Sequence, residues 1–254
     1  MQRQPHDATI QAGNQSLILT PPKLAQLLSV VLAVVFFMHG LALLVAHGLG
    51  FPVALGLVPL FHVDFENNIP TFVAFVLLIS CGLVSAWSSA LEGARLRHHR
   101  AWAFIALIFL VLAADEAFSF HEQLGTFLYA RFSQLDLPIY AWVVPYGIVV
   151  VLLGSFLLRW FLELERSMQL SLFAAGAVFL AGAIGLELVA SAHYESLPVE
   201  RETYRTLTGD LLSTFEEACE FAGASLFLHT LLKRLGGISF RALGHDHVPA
   251  ATTR

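Results

Sequence analysis

The sequence predicts an all-α, polytopic membrane helix bundle with six transmembrane helices and both termini cytoplasmic, and three observations predict it. Of 254 residues, 57% are hydrophobic and only 13% are charged. The mean hydropathy is +0.71, well above that of an ordinary soluble domain. The apolar residues fall into six runs, 23–49, 70–91, 101–124, 138–162, 171–192 and 210–235, each long enough to cross about 30 Å of hydrocarbon as a helix. The cations fall in alternate connections, which sets the orientation by the positive-inside rule.

Residues 1–22 are rich in Gln, Pro and Asp, lack apolar periodicity and end in Pro21-Pro22. They read as a flexible cytoplasmic tail. No cleavable leader is expected, because this stretch is polar and the first apolar run is too long for a signal core. That run carries His39 in mid-span and His47 near its far end. The loop 50–69 closes on FHVDFENNIPT. There Pro70 suits the first turn of the second helix, and Asn67 or Asn68 can cap it. Asp64, Glu66 and Asn68 either serve that turn or add oxygen ligands to a site below.

The connection after the second helix, EGARLRHHR, holds Arg95, Arg97 and Arg100 and is assigned to the cytoplasm. Arg159 and Arg166 fall in the fourth connection, and Lys233, Arg234 and Arg241 follow the sixth helix. The loops 50–69, 125–137 and 193–209 are then exterior. The fourth helix opens with an interfacial Tyr140 and Trp142, a kink at Pro145, and Tyr146 as a deeper donor. The fifth carries Gly176, Gly182 and Gly185 among alanines, which allows close helix approach in lipid. Residues 236–254 read as a cytoplasmic tail, leaving 23–235 as the transmembrane domain. Cys81 and Cys219 both lie within predicted helices, so no disulfide framework is indicated. The net charge of −5, with basic residues scattered over short loops, excludes a nucleic-acid partner.

Seven carboxylates stand within the spans: Asp115, Glu116, Glu122, Glu187, Glu216, Glu217 and Glu220. Such residues are rare in membranes, face inward, and mark functional sites by default. At 1.5 Å per residue, Asp115 and Glu220 lie roughly 14–15 Å from the outer surface, and Glu187, Glu216 and Glu217 roughly 8–11 Å. His121, Glu122 and His193 lie shallower. Helical spacing puts Asp115, Ser119 and Glu122 on one side of the third helix, and Ser213, Glu216, Glu217 and Glu220 within one arc of the sixth. Glu187 and Ser191 pair on the fifth. The third, fifth and sixth helices are therefore expected to be neighbours around one interior site.

Left unpaired, seven anions would cost about 20 kcal/mol, more than the roughly 5–15 kcal/mol by which a domain is stable. Protons shared among carboxyls or bound cations can neutralise them. Histidine beside the acids favours a divalent metal, Zn, Mn or Fe, held among Asp115, Glu116, His121, Glu122, Glu187, His193, Glu216, Glu217 and Glu220. The Glu-x-x-His repeat of four-helix di-iron proteins is absent.

Together FxxDxExNxPT (Phe61 to Thr71), DExxxxHE (Asp115 to Glu122) and EExxE (Glu216 to Glu220) resemble the motifs of an uncharacterised group of bacterial multi-pass membrane proteins. That resemblance implies no activity. From the residues, the leading expectation is a metal-dependent enzyme of the cell membrane, open to the outer face and acting on a lipid or lipid-linked substrate, with Glu116, Glu217 or Glu220 as general base. A proton- or cation-coupled transporter and an accessory protein with a protonated carboxyl network are the alternatives.

Overall fold

The computed structural model describes residues 16–93, 96–132, 134–135, 140–197 and 205–241. Most of the expected N-terminal tail, most of the C-terminal one, and parts of the connections 125–137 and 193–209 lie outside the described residues. Apart from one two-stranded ribbon, the regular structure of the described chain is helical. Five helices are long and apolar enough to cross a membrane: Pro21–Gly48, Ile69–Leu91, Arg97–Phe118, Val143–Leu162 and Arg166–Glu195. This is compatible with a multi-pass membrane protein. The sixth expected run lies in a helix of 29 residues, long enough to span, whose carboxylates hold down its hydropathy.

The first helix, α1 (Pro21–Leu43), opens on Pro21-Pro22, where the absent N–H has no intrahelical partner to lose. It continues into a π turn, Leu44–Gly48, carrying His47. A short α2 (Leu57–Phe61) follows, and α3 (Ile69–Leu91) is capped as the sequence predicts. The Thr71 N–H donates to Asn68 Oδ1 at 3.1 Å. The amide of Asn68 donates to the carbonyls of His62 at 2.6 Å and Pro59 at 3.2 Å. One side chain thereby folds the 62–68 loop back onto the helix it starts.

Next, α4 (Leu96–Phe118) packs along α3. The expected run to residue 124 stops at Ser119, whose left-handed backbone (φ 51°) ends α4 and starts α5 (Phe120–Arg131). Buried Trp102 and Trp160 meet edge to face at 4.9 Å, joining α4 to α6 (Val143–Leu162). Gln169 closes the turn into α7 (Arg166–Leu180) by donating to the carbonyls of Leu162 and Leu164. A π segment, Ala181–Leu186, leads into α8 (Glu187–Glu195).

The long α9 (Leu207–Leu235) lies at the centre, packed on α7, the π segment, α3, α1 and α8. Glycine makes this possible at two places. A Cβ on Gly182 would stand 2.6 Å from the Glu216 carbonyl oxygen, and one on Gly223 would stand 2.7 Å from the Phe179 nitrogen. Of the three glycines expected to allow close approach, Gly182 does so, whereas nothing lies within 4 Å of the Cβ position of Gly176. After α9 the left-handed Gly236 caps the helix. Strand β2 (Ile238–Arg241) then pairs antiparallel with β1 (Ser16–Leu19), tying the two ends of the bundle together.

Candidate metal centre

Two local devices build the site. The break at Ser119 folds the first turn of α5 back onto the end of α4. The backbone N–H of His121 donates to Asp115 Oδ1 at 2.9 Å, and His121 Nδ1 lies 3.0 Å from Asp115 Oδ2. Tyr146, on α6, donates its hydroxyl to Asp115 Oδ1 at 3.0 Å. Across the cavity the loop folded by Asn68 carries Glu66. One ligand atom from each of Glu66, His121 and Glu122 lies within 4.8 Å of the others. Among the described residues this is the group of His, Cys, Asp and Glu that converges in that way. One carboxylate oxygen of Glu66 is buried without a hydrogen-bond partner among the described residues.

With Nδ1 against Asp115, the Nε2 of His121 is left for a ligand. A carboxylate on the far nitrogen is the usual support of a metal-binding imidazole. Glu66 and His121 lie beyond the ends of the candidate spans, and their protonation reflects their neighbours. Burial, and after it the charge of Glu122, pushes the Glu66 carboxyl up to about 7. For His121 burial works downward, but the hydrogen bond and charge of Asp115 outweigh it and raise the ring to about 9.

The three residues line a cavity of about 600 Å³ whose wall also includes Asp64, Tyr140, Trp142, Glu187, Glu216 and Glu217. Glu187 and Glu216 are paired on this wall, and Trp142 Nε1–H donates to Glu187 Oε1 at 3.2 Å. Glu116 and Glu220 lie behind this wall. With Glu217 they line a gap of about 10 Å³ beside Leu77, Phe179 and Phe221, the lower limit for one water molecule. The expected acids are thus divided among a three-residue group at the mouth, a paired wall and a tight inner cluster. Glu217 reaches both the cavity and the gap. His193 stands apart, with Nε2 3.0 Å from Thr206 Oγ1. Buried His39 is engaged by Thr214 at 2.8 Å and by the Val63 N–H.

A second charged cluster at the rim has no counterpart in the sequence reading. Asp210, almost fully buried, meets His47 Nε2 at 2.6 Å and Arg205 at 2.7 Å. Arg205 also pairs with Asp64 at 3.3 Å and lies 4.1 Å over the Phe65 ring. Ser213 donates to the other oxygen of Asp64 at 2.6 Å. His62 joins them, its Nε2 2.9 Å from Arg205 and 3.5 Å from Asp210, so the local sequence signal is His62 and Asp64 two residues apart. Of the other members, His47 comes from the π turn after α1, and Arg205, Asp210 and Ser213 come from the first turns of α9 and the residues just before it.

Chemically, two carboxylates and one oriented imidazole form a three-ligand set that leaves coordination positions toward an acidic, water-accessible cavity. No curated protein and no solved structure matches the chain. The family model described as "Domain of unknown function (DUF8692)" matches residues 27–235, from within α1 to the end of α9 and through every residue of the site. The chain belongs to that family.

Proposed function

We propose that this is a six-span protein of the cell membrane, with both termini cytoplasmic and the site open to the outer face. There it binds a divalent metal, Zn, Mn or Fe, through Glu66, His121 and Glu122, and acts as a metal-dependent enzyme on a lipid or lipid-linked substrate. The observation that carries the reading is the convergence of those three ligand atoms within 4.8 Å, with His121 oriented by Asp115. The ribbon that pairs the segment before α1 with the segment after α9 supports an even number of crossings.

A divalent ion at this position supplies Lewis acidity and lowers the pKa of a bound water. Glu217 is the one of the three expected bases that lines the cavity, and it takes the role of general base. Asp115 holds the imidazole. The Glu187–Glu216 pair, braced by Trp142, forms the polar wall against which a substrate head group lies.

The test is elemental analysis of the detergent-purified protein, together with its turnover of a membrane-lipid extract followed by mass spectrometry. Wild type should carry stoichiometric metal, and Glu66→Gln and His121→Ala should lose it. Glu217→Gln should keep the metal and lose turnover. A metal-free wild type, with a melting temperature indifferent to a strong chelator and to added zinc, would overturn the metal centre.

A further inference from the structure

A groove runs between α4, α6 and the α7–α9 pair, on the other side of the wall formed by Asp115 and Tyr146. It encloses about 620 Å³, within the roughly 300–1,000 Å³ of ligand pockets. It exists because α6 packs principally on α4 and stands away from α7, while Gly154 and Gly176 leave its sides bare. Nothing lies within 4 Å of where a Cβ on either glycine would stand. Its lining is apolar except at one end, where Asp115 and Tyr146 are found. Leu107, Val111 and Val149 on its lips are exposed, so in a bilayer it opens sideways to lipid.

Its length is informative. Along α4 the lining runs from Asp115 to Phe104 and along α6 from Tyr146 to Leu157. Each is twelve residues, eleven rises of about 1.5 Å, or about 16 Å. That is about half of a roughly 30 Å hydrocarbon core, the depth of one leaflet. A groove one leaflet deep, apolar throughout, with hydrogen-bonding groups only at one end, has the shape and polarity of a single hydrocarbon chain below an oxygen-bearing head. The polar end is also the back of the metal centre, since Asp115 holds His121 and the Trp142 ring packs between His121 and Tyr146 at 4.9 and 5.0 Å.

We propose that this groove seats one acyl or prenyl chain of a membrane lipid, with the lipid head at Asp115 and Tyr146 beside Glu66, His121 and Glu122. The inference rests on the lipid-directed reading above and names where such a substrate lies and from which side it enters. The seat accepts one chain. A two-chain lipid leaves its second chain in the bilayer.

The probe is a phosphatidylglycerol with a diazirine at the end of its palmitoyl chain, incorporated with the full-length protein into lipid nanodiscs, photolysed and mapped by mass spectrometry. Crosslinks are expected at the blind end of the groove, on Phe104, Leu157 and Phe227. Gly154→Phe and Gly176→Phe place a ring in open space, so they should fold, retain the melting temperature and metal content of wild type, and lose those crosslinks. Gly176→Ala should keep them. Crosslinks spread over the outward face of α6, at Val151 and Leu158, and unchanged by either phenylalanine would overturn the proposal and leave annular lipid only. Metal content is read separately. A metal-free protein with groove crosslinks removed by Gly176→Phe sinks the metal centre and keeps the seat, and the opposite pair of results sinks the seat alone.

Discussion

Asp115 shows how much a single residue's role depends on its surroundings. Its position and depth in an apolar run single it out, but its two oxygens are taken up by His121 and Tyr146, which makes it the holder of the His121 ring. Losing such a partner typically costs about 10–100-fold in metal affinity, so Asp115→Asn should weaken zinc binding by that order while Glu66→Gln removes it. Protons compete for the same atoms. Glu66 rises from an ordinary 4.5 to about 7, so the folded state favours its neutral form and loses stability as pH climbs through that range. His121 rises from 6.5 to about 9, so its pairing with Asp115 stabilises the metal-free protein below 6.5 and ceases to do so as pH passes about 9. Zinc held in the proposed site would reverse both trends by replacing the protons. The increase in melting temperature on adding zinc should therefore grow from pH 5 to pH 8, and by less in Asp115→Asn. A shift independent of pH would argue against these residues as ligands. Asn68 was readable as a cap because capping is local. The choice of Glu66 from its loop was not, since it depends on the turn that Asn68 folds.

Among the elements, α9 and the π segment beside it set the depth and spacing of the acids. Helical periodicity places Glu216, Glu217 and Glu220 on one arc, and the fold splits that arc between the cavity, at Glu216 and Glu217, and the inner gap, at Glu217 and Glu220. What periodicity omits is the left-handed Ser119, because a serine in a good helical context carries no break signal. That break turns Glu122 and His121 away from the run of α4 and toward Glu66. Nor does a row of glycines reveal which one meets a backbone. Gly182 lies against Glu216, so a side chain there must push α9 away. Gly182→Val should lower stability by at least the roughly 1–3 kcal/mol typical of overpacking, whereas Gly176→Ala on the preceding helix, facing open space, should be nearly neutral. Thermal melting in detergent separates the two, and equal melting temperatures would mean that the π segment and α9 do not approach as closely as they do here.

For the whole molecule, the six-span topology and exterior site proposed above predict that cysteines introduced at Gln134 and Gly93 differ in labelling. A membrane-impermeant maleimide applied to intact cells should reach Gln134→Cys and spare Gly93→Cys. The reverse result would turn the site toward the cytoplasm. Hydropathy and helix length are additive along the sequence, so the helical class and five of the apolar helices can be read from residue order alone. Which acids converge is a matter of three dimensions. Glu66, His121 and Glu122 meet because a capped loop and a left-handed serine bring two separate segments together. Asp210 meets His47 because the π turn that continues α1 packs beside α9. The lipid-sized groove exists because α6 stands apart from α7. Each of these depends on contacts between segments distant in the chain, and local propensity has no term for them.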